Sequence, residues 1–177
     1  MKVTKISSEF LKERYEWINS KNIYSYMNIQ YPMSFEDVTG WYERNKNNNK
    51  RIDFIFLEDD KPVAMTGLTN LDLDNGLIEF YIMVGPDSQG KGFGEAATQW
   101  TLNYAFLWYN INKVYSYTNG FNQRVNNMLE KIGFKHEGTL RQHKFKNGVY
   151  IDRCFYGILK EDWNKQEYKT DTINLDF

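Results

Sequence analysis

The chain has 177 residues, 41% hydrophobic and 25% charged, with a net charge of −1, a balance that fits one globular domain and not a disordered segment. A near-neutral charge gives no call for the basic face of a phosphate-tracking nucleic-acid binder. One cysteine, Cys154, excludes an internal disulfide, and two histidines beside it form no ligand cluster, so no metal is expected.

Residues 1–10 lack the apolar core of a secretory leader, and residues 2–6 read as a short strand. Ser8 precedes a helical pattern with Leu11, Tyr15 and Ile18 on one stripe. Residues 19–32 are tyrosine-rich and read as irregular. Ser34-Phe35-Glu36-Asp37 has capping-box spacing and opens a short helix through Trp41, followed by an asparagine-rich loop. Residues 52–57 and 63–68, the latter extending toward Leu71, read as strands about a turn. Asp74-Asn75-Gly76 is a hairpin signal, and Leu77–Val84 returns as a strand. Phe93, Ala97, Trp100, Tyr104 and Leu107 keep helical spacing, and residues 113–118 form a strand. Val125, Met128, Leu129 and Ile132 mark another helix, with Gly133 as its C-cap. Residues 134–145 and Val149–Leu159 make a closing hairpin around Asn147-Gly148. The longest apolar stretches, 80–84 and 105–109, fall far short of the roughly 20 residues needed to cross a bilayer. The expectation is one mixed α/β domain over residues 1–165 with a polar tail over 166–177, cytoplasmic and without membrane or nucleic-acid partners.

The informative segment is Gln89-Gly90-Lys91-Gly92-Phe93-Gly94. It follows a strand and opens a helix, so several backbone N–H groups stand unpaired at a helix N-terminus, backed by the positive end of the dipole. Glycine lets such a backbone approach a phosphate closely. The loop therefore predicts a phosphate-containing ligand, with a pyrophosphate foremost. Gly85 to Lys91 matches most of a P-loop, but Gly92 stands where that motif needs Ser or Thr. A dinucleotide fingerprint fits poorly too, because the spacing is G-x-G-x-G and the loop is mid-chain. A ligand-free glycine turn stays open as the plain alternative.

Gln89 to Gly94 resembles the Q/R-x-x-G-x-G/A motif of the GNAT acetyltransferase superfamily. Asn122 to Phe134, with Glu130-Lys131-Ile132-Gly133-Phe134, is similar to the helix of that family ending in E-K-x-G-F. Glu137-Gly138-Thr139-Leu140-Arg141 and Asn147-Gly148-Val149-Tyr150-Ile151-Asp152 resemble the closing hairpin of the branch that holds ribosomal-protein N-terminal, spermidine and amino-sugar acetyltransferases. The likeness is good from Glu79 to Trp163 and only an outline before residue 75. It implies an α/β fold with a strongly bent, mainly antiparallel sheet, helices on both faces, and two splayed central strands that admit acetyl-CoA. It further implies that Ile82, Met83 and Val84 pair with the pantetheine arm, that Gln89, Gly90, Lys91, Gly92, Phe93 and Gly94 hold the pyrophosphate, and that Asn122 bonds the arm. Lys131 would lie near the phosphates, a surface lysine being the alternative. A homodimer is left open.

Acetyl transfer to a primary amine requires removal of a proton, since alkylamines titrate near pKa ~10. It also requires an N–H for the developing oxyanion, expected near Met83 or Val84. Glu79, a carboxylate in an otherwise apolar strand, is the candidate general base, against the alternative of a solvent-facing residue. Many family members carry a tyrosine where this chain has Leu129, so a proton for the leaving thiolate must come from elsewhere. Tyr117, Ser116 and Tyr150 are the hydroxyls weighed, with Tyr117 put forward as catalytic. For the acceptor, Tyr31, Glu36 and Tyr150 are the candidate contacts. The acceptor is expected to be a small amine of polyamine or amino-sugar nucleotide type. A protein N-terminus is the first alternative, and a CoA-binding module without activity is the second.

Overall fold

Side-chain alternation along one strand sorts the whole molecule. The computed structural model describes residues 1–164, so the tail expected at 166–177 lies outside the described residues. The elements run β1 (Lys2–Lys5), α1 (Leu11–Ile18), α2 (Lys21–Tyr24), α3 (Phe35–Asn45), β2 (Ile52–Glu58), β3 (Lys61–Asp72), β4 (Leu77–Val84), α4 (Phe93–Trp108), β5 (Lys113–Asn119), α5 (Gln123–Ile132), β6 (Lys135–Lys146), β7 (Val149–Leu159) and α6 (Lys160–Asn164). One seven-stranded sheet has the order β1-β2-β3-β4-β5-β7-β6, antiparallel throughout except where β4 meets β5. The mixed α/β fold expected from the sequence is the one observed.

In β4, Ile78 and Phe80 point into an apolar core shared with Ala97, Trp100 and Leu102 of α4 and Leu129 and Ile132 of α5. The next residues on that face, Ile82 and Val84, pack against the same core. The opposite face carries Met83, which joins Ile55 and Met65 under Trp17, Ile18 and Ile23 of α1 and α2. Burying each large apolar side chain contributes roughly 1.5–3 kcal/mol, so both helix layers are held mainly by this burial.

Two N-terminal elements differ from the sequence expectation. Residues 19–32 are not wholly irregular, because Ser20 precedes the single-turn α2, anchored by the buried Ile23. One turn is too short to display helical periodicity. The helix α3 runs on to Asn45 instead of stopping at Trp41. Its capping box is present, with the Asp37 N–H donating to Ser34 Oγ (3.0 Å) and the Ser34 N–H to Asp37 Oδ2 (2.8 Å). The extension is fixed by tertiary contact, since Trp41 lies beneath the guanidinium groups of Arg14 (3.7 Å) and Arg51 (4.9 Å).

Candidate active site

The pairing of β4 with β5 is short. Leu77, Ile78 and Glu79 lie opposite Lys113, Val114 and Tyr115, and no pairing continues beyond that row. Past Glu79 the two parallel strands diverge, and each C-terminal end feeds a helix N-terminus, α4 from β4 and α5 from β5. The ladder to β3 sets which groups face the gap. The Gly85 N–H donates to Val63 O (2.9 Å). By antiparallel alternation, the Met83 N–H then points toward β3, while those of Ile82 and Val84 point into the gap. Of the two N–H donors expected near the reacting carbonyl, Met83 is therefore engaged in the sheet and Val84 is free of it.

At the end of β4, residues 89–94 form the glycine loop. Gly90 (φ 81°) and Gly92 (φ 85°) adopt left-handed backbone, where any side chain is strained, and a Cβ at either position would meet nothing within 4 Å. The space beside them is open. Between the Ser88 N–H, bonded to Gly85 O, and the Ala96 N–H, bonded to Gly92 O, the backbone N–H groups of residues 89–95 make no backbone bond among the described residues. Gly94 differs, because a Cβ there would stand 3.1 Å from Val84 Cγ2; this glycine lets α4 press onto β4. The side chain of Gln89 braces the loop, donating to Val84 O (3.5 Å) and accepting from Arg124 Nη1 (2.9 Å). Arg124, which the sequence reading did not single out, thus brings a cation to the loop from α5. Lys91 is exposed, Phe93 packs against the core, and exposed Lys131 pairs with Glu95 (2.7 Å) in the first turn of α4. Asn122 caps α5, its Oδ1 accepting from the Val125 N–H (3.5 Å). Unpaired N–H donors, open space at Gly90 and Gly92, and a gap lined by Ile82 and Val84 fit a diphosphate with an extended arm.

Glu79 is half-buried on the face away from α4. A bulge in β3 between Thr69 and Asp72 puts Asn70 in left-handed backbone (φ 53°), and its Nδ2 donates to Glu79 Oε2 (2.6 Å). Re-aiming a side chain in this way is a common use of a bulge. On β5 the same face carries Tyr115, Tyr117 and Asn119, opposite Gly157, Phe155 and Arg153 of β7. The rings of Tyr117 and Phe155 are 4.9 Å apart, and the Arg153 guanidinium lies 4.4 Å over Tyr117. Burial pushes the Tyr115 hydroxyl pKa upward, and the Glu79 charge pushes it further.

One row along β4, Tyr81 lies opposite Gly67, which lies opposite Asp53 on β2. Because Gly67 has no side chain, Tyr81 reaches across it and donates to Asp53 Oδ1 (2.5 Å). Arg51 grips the same carboxylate with Nε (2.6 Å) and Nη2 (2.8 Å). Burial and the Asp53 charge push the Tyr81 hydroxyl up to about 12. Asp53 carries the signal that singled out Glu79, a lone carboxylate in an apolar strand, yet it is fully partnered.

The remaining candidates are scattered. Ser116 is buried on the α4–α5 face, and Leu129 is completely buried in the core. Tyr31 is exposed and stacks on Tyr24 (3.9 Å), Glu36 is exposed in the first turn of α3, and Tyr150 is exposed against Phe145 (5.2 Å). Lys146 donates to Tyr24 O (2.7 Å) and Met27 O (2.8 Å), which ties the hairpin tip bearing Tyr150 to the segment leading to Tyr31. His136 and His143 are exposed on β6. Among the described residues no helix is long and apolar enough to cross a membrane, and no three His, Cys, Asp or Glu residues are grouped to hold a metal.

The sequence model of the acetyltransferase (GNAT) domain matches residues 4–135. A spermidine N(1)-acetyltransferase of Vibrio cholerae is 29% identical over 151 residues, covering 84% of this chain and 87% of that protein. A putative ribosomal N-acetyltransferase of Bacillus subtilis, YdaF, is 31% identical over 111 residues, covering 63% and 61%. A crystal structure of spermidine N-acetyltransferase from Vibrio cholerae in complex with CoA and spermine superposes with a TM-score of 0.87 at 25% identity, covering 92% of this chain and 96% of that one. With this match and this fold, the chain belongs to the GNAT acetyltransferase family, whose members are acyltransferases that take acetyl-CoA as co-substrate.

Proposed function

We propose that this chain transfers acetyl to the primary amine of a small molecule, of polyamine or amino-sugar nucleotide type, with Glu79 as general base. The carrying observation is the position of Glu79 on the last paired row before β4 and β5 part, with its carboxylate oriented by Asn70. Acetyl-CoA supplies a thioester carbonyl and a thiolate leaving group. The glycine-loop N–H groups of residues 89–94 take its diphosphate, and the gap-facing backbone of Ile82 and Val84 pairs with its arm. Asn122 and Lys131 flank that arm and the phosphates from α5. An amine near pKa ~10 arrives charged, and Glu79 accepts its proton directly or through one water. The Val84 N–H stabilises the negative charge that grows on the carbonyl oxygen. The Tyr117 hydroxyl, in place of one at Leu129, returns a proton toward the departing sulfur. Tyr31, Glu36 and Tyr150 border the acceptor from the α2–α3 segment and the hairpin tip.

The spermidine acetyltransferase relatives support the small-amine reading. The similarity to YdaF favours a protein N-terminus as the second reading. A screen of polyamines, amino-sugar nucleotides and ribosomal N-terminal peptides, following free thiol release from acetyl-CoA, separates the two. Release with peptides alone overturns the first. The donor half is tested by Gly92→Val, which should weaken CoA binding at least tenfold in a calorimetric titration; unchanged affinity would remove the loop from the donor site.

A further inference from the structure

Arg153 is a guanidinium that stacks on the Tyr117 ring and has no carboxylate paired with it among the described residues. It is half-buried on β7, pairs in register with Asn119, and makes no ion pair or side-chain hydrogen bond among the described residues. Its Nε is buried with nothing to donate to, and Asn119 Oδ1 beside it is buried with nothing to accept. The Asn119 Nδ2 is already committed to Tyr26 O (2.8 Å), so its orientation is set. Buried charges in folded proteins are paired or ligand-bound, because leaving them bare is costly. Arg51, on the same sheet face, shows the ordinary solution in its two bonds to Asp53.

The register locates this cation relative to the chemistry. Glu79 lies opposite Tyr115, and the next rows on β5 carry Tyr117 and then Asn119 opposite Arg153. Arg153 leans back over the Tyr117 ring, so its charge sits about one row along the sheet from the row of Glu79, on the strand beyond β5. Burial lowers its pKa, partly countered by the charge of Glu79. A polycation would meet repulsion at this point, whereas a carboxylate or phosphate would meet a planar fork with free donors.

We infer that Arg153 binds an acidic group of the acceptor, and that the acceptor is an amine carrying a carboxylate or phosphate. The inference rests on the acetyl-transfer reading and narrows it, from a polyamine or an amino-sugar nucleotide type, to an amine that carries an acid.

The test compares matched acceptors with and without the acid: cadaverine with lysine, ethanolamine with phosphoethanolamine, glucosamine with glucosamine 6-phosphate, and spermidine as the polycation. The wild type should prefer at least one acidic partner by tenfold or more in kcat/KM, and the pair that shows it tells carboxylate from phosphate. Arg153→Gln should erase that preference through KM with kcat nearly unchanged, while CoA affinity stays constant and confirms folding. Arg153→Lys should restore part of it. A wild-type preference for spermidine or cadaverine overturns the inference, as does an equal loss on both members of each pair in Arg153→Gln. If no amine releases thiol although CoA binds, the transfer reading fails, and calorimetry of lysine and phosphoethanolamine against the CoA-saturated protein decides alone. Heat lost in Arg153→Gln keeps the anion site; heat absent from the wild type or unchanged in the variant overturns it.

Discussion

On one face of β4, Ile78, Phe80, Ile82 and Val84 meet α4 and α5 in a core built of hydrocarbon and aromatic rings. On the other, Met83 packs under α1 and α2, Tyr81 bonds the Asp53 that Arg51 grips, Glu79 accepts from Asn70, and Arg14 and Arg51 stack on Trp41 of α3. The first face is specified by volume, and any well-packed apolar set satisfies it. The second is specified by partners, since Asp53 depends on Arg51 and Tyr81, and Tyr81 reaches it only because residue 67 is glycine. Such a buried ionic set is weak evidence for stability, but it fixes one arrangement of a face that must also hold polar groups at a reaction centre. Substitutions on the two faces should therefore separate stability from activity.

The largest separation is expected at adjacent residues. Phe80 is 1% exposed, and Phe80→Ala should cost about 3–5 kcal/mol in chemical or thermal unfolding. A loss below about 1 kcal/mol would mean that the α4–α5 face is not the principal core. Glu79→Gln, one residue away, should leave the unfolding curve and CoA affinity in place and lower kcat about 100-fold. A parallel fall in stability would make Glu79 a structural member of the polar face and not its reactive group.

Tyr81 sharpens the comparison through pH. Its folded pKa is raised from the ordinary 10 to about 12. A raised pKa contributes stability that is fully present below pH 10 and is lost as pH climbs through about 12, by at most about 3 kcal/mol. Tyr81→Phe removes the proton and with it this alkaline loss, so wild type and variant should converge above pH 12. At neutral pH the variant should be weaker by about 1–3 kcal/mol, because Asp53 loses a donor it cannot replace with water. Parallel stability curves from pH 8 to 12 would contradict the assignment.

The apolar face was the legible one. Periodicity and turn chemistry gave Leu77–Val84 and Val149–Leu159 to the residue, and Gly133 caps α5 in left-handed backbone (φ 106°). Local sequence determines those features. The polar face depends on register between distant strands, so Asp53 and Glu79 carry the same local signal and opposite surroundings. Nothing local marks Arg153, since a charge in a hairpin strand ordinarily faces solvent. Only its alignment with Asn119 and Tyr117 shows that it points to the covered side. Residues 19–32 were unreadable for a different reason, since their single helical turn is held by Ile23 and by the hairpin lysine Lys146, far along the chain.

The smallest expected effect probes whether the two faces are independent. Ser34 caps α3, and α3 covers the polar face through Trp41. Ser34→Ala removes the acceptor for the Asp37 N–H and should cost about 1 kcal/mol, visible as a shift in the unfolding midpoint at constant slope. Nothing in that cap touches the glycine loop or the gap beside Val84, so CoA affinity should not change. A fall in CoA affinity with the lost cap would show that the helices on the acceptor side help to hold the strands apart. The division of labour between the faces of β4 would then have to give way to a single coupled unit.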